Sequence, residues 1–526
     1  MCFEKDTLRK SMEKYDVVII GSGLGGLQCG YILSKHGLNV YVLEKNAQPG
    51  GCLQSFRRGN HTFDTGFHYV GGLDEGQPLH RLFNYFGLLD LPWLRLDENG
   101  FDEVVMLGKS YKFANGYERF AETLSEHFPH QRENLKKYAS FLRDVSGNIF
   151  NSFVKQSEED LFGTSLFAKS AYDYLTSTIN DPLLRQVLSG ASLKMELNPQ
   201  TLPLYIFAQI NSSYIQSAWR LRGGSSQIAE TLIKRIRSNG GTVRMNAEAT
   251  RLIEENGKIA AVEINSSNKE AERIEATYFI ADTHPAVALA LITESKLIRN
   301  IYRKRINNLE NTFGMFTVNM ALKENAIPYQ NRNIYIYKTD DVWQYAGYKP
   351  ENINTCALVS FQPPQESNLN LRRAASCASI DILTPMYWQE TEQWSNTGTG
   401  HRSDEYQSYK KQKAEACIRL AAKYIPGFID GNQKNSNPSH LIERMYTSTS
   451  LTYRDYTSTP QGSVYGIRKN YNHLMTTLLS PRTPEPNLFL TGQNLNLHGV
   501  LGVSMTSFFT CAEIIGLNEA VRELLH

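Results

Sequence analysis

The chain of 526 residues has no pair of cysteines at Cys-x-x-Cys spacing, so no zinc-ribbon or iron–sulfur ligand set can be read from it. Its seven cysteines (Cys2, Cys29, Cys52, Cys356, Cys377, Cys417 and Cys511) are scattered and odd in number. That pattern fits a reducing compartment, the cytoplasm, better than a disulfide framework. Charge of one sign is lacking too. Lys+Arg total 55 against 53 Asp+Glu, a formal net charge of +2, which argues against a nucleic-acid binder. There is no apolar stretch of about 18 residues to span a bilayer. The charged segment from Met1 to Lys14 has no apolar core of the kind a signal peptide needs. Attachment to a membrane surface stays open. Internal repeats, low-complexity tracts, a Ser-His-Asp set and a metal-ligand cluster are all absent from the pattern. The remainder is ordinary for a globular protein, 41% hydrophobic and 21% charged, and its length calls for two or more domains.

The first strong signal is Asp16–Val17–Val18–Ile19–Ile20, a short apolar, β-branched run bounded by glycine. It reads as a buried parallel strand. Gly21–Ser22–Gly23–Leu24–Gly25–Gly26 follows, then a helix from Leu27 to His36 stopped at Gly37, then a second strand Val40–Tyr41–Val42–Leu43 ending at Glu44. This is a βαβ unit of the expected length. A second block of the same character lies downstream. Arg222–Gly223–Gly224 precedes Ile228, Leu232, Ile233 and Ile236 at helical spacing, and Gly240–Gly241 ends that helix. Thr242 to Met245 reads as a strand. Ala249–Glu254 and Lys258–Ile264 flank the hairpin signal Asn256–Gly257, and Ala276–Ala281 is one more strand. Residues 116–215 look helical and 291–440 mixed, with strands at Phe313–Leu322 and Ala357–Phe361. Gln389 to Ser408 reads as a polar surface loop. The final block runs from about Leu441 and contains Asn487–Leu488–Phe489–Leu490.

The expected fold is therefore α/β: a Rossmann-like domain built from discontinuous segments, 1–75, 216–290 and 441–526, with a second, mixed α+β domain from 76–215 and 291–440. In the first turn, Gly21 permits the strand-to-helix bend, Gly23 leaves room for a pyrophosphate and Gly26 lets the helix pack on the strand. The helix N-terminus offers free N–H groups and a partial positive charge to phosphates, and Ser22 adds a hydroxyl donor. Glu44 lies 21 residues after Gly23, where a carboxylate accepts both ribose hydroxyls of an adenosine and repels a 2′-phosphate. Pro49–Gly50–Gly51 turns the chain back beside the pyrophosphate, a flavoprotein feature that favours FAD over NAD.

The order Gly21–Gly26, Leu43–Glu44–Lys45–Asn46, Pro49–Gly50–Gly51 and Phe63–Asp64–Thr65–Gly66–Phe67–His68–Tyr69 resembles the phytoene desaturase superfamily. It is most similar to its retinol saturase and carotenoid isomerase branch. Leu451–Thr452–Tyr453–Arg454–Asp455–Tyr456, Gly462, Tyr465–Gly466, Leu490–Thr491–Gly492–Gln493–Asn494 and Gly499–Val500–Leu501–Gly502 resemble the same branch. The resemblance implies an extended FAD, a flavin-dependent reaction on carbon–carbon double bonds of a retinoid- or carotenoid-like polyene, and a lipophilic small-molecule substrate. It implies FAD contacts from Gly21, Ser22, Gly23, Leu24, Gly25, Gly26, Glu44, Lys45, Gly50, Gly51, Cys52, His68 and Tyr69, and from the backbone at Ala249. Gly492 and Asn494 would lie along the ribityl chain, with Gly502 and Val503 near the ring at a helix start. Cys52 stands where many relatives carry arginine, and Gln493–Asn494 where many carry aspartate; both changes remove charge near the cofactor.

No catalytic residue is singled out. Arg454–Asp455 reads as a surface ion pair before it reads as a site pair, and Asp282–Thr283–His284–Pro285 as a strand-end turn. The 28 Tyr, 24 Phe and 5 Trp, among them Tyr335, Tyr337, Phe508 and Phe509, are core material first. Saturation, desaturation and isomerisation all stay open. So do an amine oxidase-like flavoenzyme and a non-catalytic FAD-binding protein. The electron donor, NAD(P)H or another diffusible reductant, and the oligomeric state are open as well. Peripheral membrane contact is the expectation for a lipid-soluble substrate.

Overall fold

A computed structural model describes residues 14–150, 160–265, 271–364, 376–429 and 438–525. Cys2 and the charged leading residues lie outside that range. The chain forms two compact units. The first takes Met1–Gln54, Ser226–Leu309 and Leu478–His526, and the second Ser55–Ser225 and Glu310–Thr477.

The first unit is built on parallel strands in the order Thr242–Arg244, Val40–Leu43, Tyr15–Ile20, Glu272–Ala281 and Leu488–Leu490. Val17 to Ile20 and Val40 to Leu43 are buried without a break, as strands covered on both faces must be. Lys258–Asn265 and Glu248–Glu255 extend the sheet as an antiparallel meander from the amino-terminal half of Glu272–Ala281. Their turn is Asn256–Gly257, both at positive φ, the backbone that a two-residue hairpin requires. The strand expected at Ala276 begins instead at Glu272. Its first residues carry exposed charge on a meander edge, so no apolar run announces them. The helix Leu24–Lys35 packs against Gly499–Ile515 and against Ser226–Ser238, which buries Ile228, Leu232, Ile233 and Ile236.

The second unit is organised around a sheet in the order Ile442–Ser448, Gly314–Leu322, Ser379–Met386, Cys356–Gln362, Asn333–Tyr337, Asp102–Met106 and Lys109–Phe113. Every pairing is antiparallel except Asn333–Tyr337 on Asp102–Met106. One face carries Phe316, Val318, Met320, Ile334, Ile336, Val359, Ile380 and Ile382 into a core shared with the helix Asp404–Ala422.

The unit boundaries differ from those expected. The first cut falls after Gln54, not residue 75, because Ser55–Arg58 pairs with His61–Asp64 and Asp64 is tied to Ser225. The second segment starts after Ser225, not at 216, because Ala218–Leu221 pairs with Val70–Gly71 and Trp93–Arg95. It runs on to Leu309, since Arg303 donates to the carbonyls of Leu289 and Ile292. The last segment starts at Leu478, not 441, because Ile442–Ser448 is an edge strand of the second sheet. The stretch Gln389–Ser408 is not a plain surface loop either. It contains short 3-10 turns, and Glu390 is buried in an ion pair with Lys413 at 2.6 Å. Among the described residues no helix is long and apolar enough to cross a membrane.

Candidate functional site

The turn from Tyr15–Ile20 into the helix Leu24–Lys35 forms a glycine-walled cradle. Gly21 sits at φ +101° and its N–H donates to the Leu43 carbonyl at 2.8 Å. A Cβ on Gly26 would collide with the Gly21 carbonyl oxygen, and one on Gly51 would lie 3.3 Å from the Gly23 Cα. The backbone therefore closes from both sides to a distance that only glycine allows. The helix N-cap is Gly23, which supplies no side-chain cap, and the first turn holds no acidic residue. The positive dipole end of the helix is thus not compensated by its own first turn and suits an anion. Leu24 and Gly25 stand in that first turn. Gly50 donates to the Ser22 carbonyl at 3.0 Å, which draws the Pro49–Gly50–Gly51 turn against the cradle.

Glu44 ends the second strand and is buried. One of its carboxylate oxygens accepts from the Ser22 amide at 3.1 Å and the Ser22 hydroxyl at 2.6 Å, and the other accepts from the Asn46 amide at 2.8 Å. The side chain is held in one orientation before any ligand arrives. Lys45 is half-buried beside it. The Glu44 carbonyl accepts from Ala247, two residues before Ala249 in the strand Glu248–Glu255.

Leu488–Leu490 delivers Gly492, at φ +91°, to the same edge of the sheet, and a Cβ on Gly25 would stand 3.1 Å from the Gly492 backbone. Asn494 is buried nearby in sequence. Gly502 and Val503 lie in the first turns of Gly499–Ile515 and are buried. That helix is pinned to the first one by Gln28, which donates to Ser504 at 2.7 Å. Cys52 is solvent-exposed. The first unit therefore brings together Gly21, Ser22, Gly23, Leu24, Gly25, Gly26, Glu44, Gly50, Gly51 and Gly492.

His68 and Tyr69 belong to the second unit, over a buried polar row. Strand register aligns Asn319, Asp381, Ser360, Asn333 and Asp102 straight across five strands of its sheet. At one end His68 Nδ1 stands 3.7 Å from Asp381, and neither that oxygen nor either ring nitrogen has a hydrogen-bond partner. In the middle the fully buried Arg220 donates to Asn333 at 2.7 Å. At the other end Tyr69 donates to Asp102 at 2.7 Å and lies 2.6 Å from the Tyr335 hydroxyl, while Lys194 reaches Tyr69 at 3.0 Å and Asp102 at 3.3 Å. Burial lowers the Lys194 pKa, opposed by Asp102, and raises that of Tyr69 well above the usual phenol range. Asp64 accepts from Ser55 and Ser225, so it braces its turn. Arg454 and Asp455 bond to each other, to Ser395 and to Thr399 and Arg402, anchoring the preceding segment.

Asp282, read from the sequence as part of a strand-end turn, lies directly beneath the cradle. Its one signal was position: it follows the strand whose Ala281 pairs with Ile20, and ligands of open parallel sheets bind outside the carboxyl ends of the strands. His284, read as part of a turn, accepts from the Ala286 amide and caps the helix Pro285–Ala290.

The bare helix start, the converging glycines and the oriented Glu44 fit an adenine dinucleotide. Comparison with known proteins agrees with that class. A human all-trans-retinol 13,14-reductase is 25% identical over 96% of this chain and 86% of its own length. A Danio rerio protein described as an inactive all-trans-retinol 13,14-reductase is 23% identical over the same shares. The solved cyclohexylamine oxidase of Brevibacterium oxydans shares the fold, with a TM-score of 0.58 over 98% of this chain and 99% of its own at 14% identity. The family model for flavin containing amine oxidoreductase matches residues 24–515. That match runs from the first turn of the cradle helix to the end of the helix bearing Gly502 and Val503, and the chain belongs to the flavin containing amine oxidoreductase family.

Proposed function

We propose that this protein is an FAD-dependent oxidoreductase acting on a carbon–carbon double bond of a lipophilic polyene of retinoid or carotenoid type, with saturation as its direction. The likeness to a retinol reductase over 96% of the chain carries this reading. The cradle geometry supports the cofactor part independently. When bound, the flavin supplies the hydride chemistry. The chain's own part is to bind and orient it. The N–H groups at the start of Leu24–Lys35 would take the diphosphate, Glu44 would accept from the adenine ribose, and Gly23 and Gly51 would admit the phosphates to the backbone. Ala249 would contact adenine through its backbone. Gly492 and Asn494 would hold the ribityl chain, and Gly502 and Val503 would lie towards the ring. A diffusible reductant such as NAD(P)H would supply the electrons, and a lipophilic substrate would reach the protein from a membrane surface touched peripherally. Residues 1–54, 226–309 and 478–526 form the FAD-binding part, and the rest serves the substrate.

Purified protein should carry a flavin absorbance spectrum and release FAD by mass. Anaerobically reduced protein mixed with a panel of retinoids and carotenoids should yield a product two hydrogens heavier. A product of unchanged mass would make it an isomerase, and one two hydrogens lighter, from oxidised protein, a desaturase. Hydrogen peroxide released with amines and no polyene product would overturn the substrate class. FAD binding with no product from any of these would favour the second reading, a non-catalytic FAD protein, which the inactive relative makes worth testing.

A further inference from the structure

Asp282 stands one residue beyond Glu272–Ala281, and its carboxyl group explains the absence of side chains around it. Its Oδ2 is 2.5 Å from where a Cβ would sit on Gly23. Its Oδ1 is 2.7 Å from that point on Gly25 and 2.6 Å from that point on Gly492. Its Cβ and Oδ2 come within 3.0 and 3.1 Å of the Gly26 point, and its own carbonyl within 2.7 Å of the Gly21 point. Five cradle glycines thus face one acidic residue. Its Oδ2 is sealed from solvent and has no hydrogen-bond partner.

This arrangement sets two electrostatic demands against each other. The helix start attracts a diphosphate. An ionised carboxylate under the same turn repels it at short range and without solvent screening. The ionisable neighbours bring no relief: Glu44, from the end of Val40–Leu43, is a further carboxylate, and Cys52, beside the Gly50–Gly51 turn, is a thiol. The His284 ring is turned to the Ala286 amide. The Gly21–Gly26 turn carries no ionisable side chain, and Gly492 presents only backbone.

We propose that Asp282 enters the cofactor complex as a neutral carboxylic acid, so that binding the dinucleotide diphosphate takes up one proton at this side chain. The proposal rests on the reading of the cradle as an FAD site. Burial, opposed by the Gly26 and Gly23 amides and reinforced by the Glu44 carboxylate, already holds the Asp282 pKa at about 7 without ligand. Adding a diphosphate raises it again, because a nearby negative charge disfavours the ionised form.

The test is calorimetric titration of FAD into the apo full-length chain at pH 8, in two buffers of different ionisation enthalpy. The expected result is uptake of about one proton per FAD, with a Kd that weakens roughly tenfold per pH unit above about pH 7. Asp282→Asn should abolish the uptake and flatten the pH profile. If that variant does not fold, Asp282→Ser serves the same comparison, and the wild-type uptake stands as evidence by itself. Tight FAD binding with no proton uptake and a flat profile overturns the proposal and leaves the FAD site intact. Uptake that persists in Asp282→Asn overturns it too, since the proton then goes elsewhere. A wild-type chain that binds no FAD at pH 6 or pH 8 overturns the cofactor reading, and the proposal with it.

Discussion

Ser22 donates to a single carboxylate oxygen of Glu44 twice, from its amide at 3.1 Å and from its hydroxyl at 2.6 Å. The glycine turn and the Glu44 carboxylate are thereby one rigid assembly rather than two features at a suitable spacing. Preorganisation of this kind saves ordering cost on binding. Glu44→Gln should weaken FAD binding about tenfold, since one charge-assisted acceptor is lost. Ser22→Ala should weaken it about fivefold through loosened orientation alone. Fluorescence quenching of added FAD measures both, and a wild-type Kd in Ser22→Ala would show that the hydroxyl does not position Glu44.

The cradle glycines separate by what surrounds them. A Cβ at Gly26 meets the Gly21 carbonyl, whereas one at Gly37, at φ +81°, meets nothing within 4 Å. Gly26→Ala should leave the purified protein colourless. Gly37→Ala should keep its flavin and lose only about 1 kcal/mol of stability, from backbone strain. Absorbance after desalting and a urea unfolding curve decide it. Retention of flavin by Gly26→Ala would mean that the helix can shift off its strand.

Lys194 and Asp102 form a buried pair in the second unit at 3.3 Å, with Lys194 Nζ also 3.9 Å from the Tyr214 ring centre. Lys194→Met removes one member and strands the other, which should cost about 3–5 kcal/mol. The double variant Lys194→Met, Asp102→Asn should recover part of that loss. Denaturant unfolding of both variants measures the coupling, and equal losses in single and double variants would mean that the pair is not coupled.

Lys469 is buried with its ammonium donating to the Thr477 carbonyl at 2.9 Å, and desolvation lowers its pKa to about 7. The unfolded chain then binds more protons than the folded one between that value and the ordinary lysine range, so this group adds stability as pH rises through that window and withholds it below. Lys469→Met should flatten the stability profile by about 1.4 kcal/mol per pH unit between roughly pH 7.5 and 9.5. The variant should be the more stable protein at pH 6. Urea midpoints across that range provide the check, and parallel profiles would refute it.

Asp282 acts in the opposite sense in the apo protein. Its pKa is raised to about 7, so the folded chain binds more protons than the unfolded one below that value. Stability from this group falls as pH rises from the ordinary carboxylate range to about 7 and is flat above. Asp282→Asn should therefore gain most over wild type above pH 7, by up to about 4 kcal/mol. Thermal unfolding of flavin-free protein at pH 5 and pH 8 tests it, and an equal change at both would put the effect outside titration.

Much of the first unit was legible along the chain because its signals are local. Val17–Ile20 and Val40–Leu43 are uninterrupted apolar runs since both faces of a parallel strand are covered. Gly21–Gly26 declares itself because a tight turn, a close helix and a nearby anion each need glycine. Asn256–Gly257 marks a hairpin through the φ it tolerates. Glu44 could be picked out because its distance from Gly23 is set by one helix and one strand of standard length.

Other features depended on segments far apart in sequence. Asp282 is 259 residues from Gly23, and only the parallel pairing of Tyr15–Ile20 with Glu272–Ala281 puts its carboxyl under the turn. Asn319, Asp381, Ser360, Asn333 and Asp102 carry no shared motif; they form a row because five strands happen to share a register. The unit boundaries were likewise decided by pairing, since His61–Asp64 and Ile442–Ser448 take their partners from the second unit. The sequence by itself determined the class of the glycine turn, because turn, helix and the Glu44 carboxylate are written within a few dozen neighbouring residues. The tertiary structure alone decided which distant charges meet that turn, because electrostatics depends on separation in space and not along the chain.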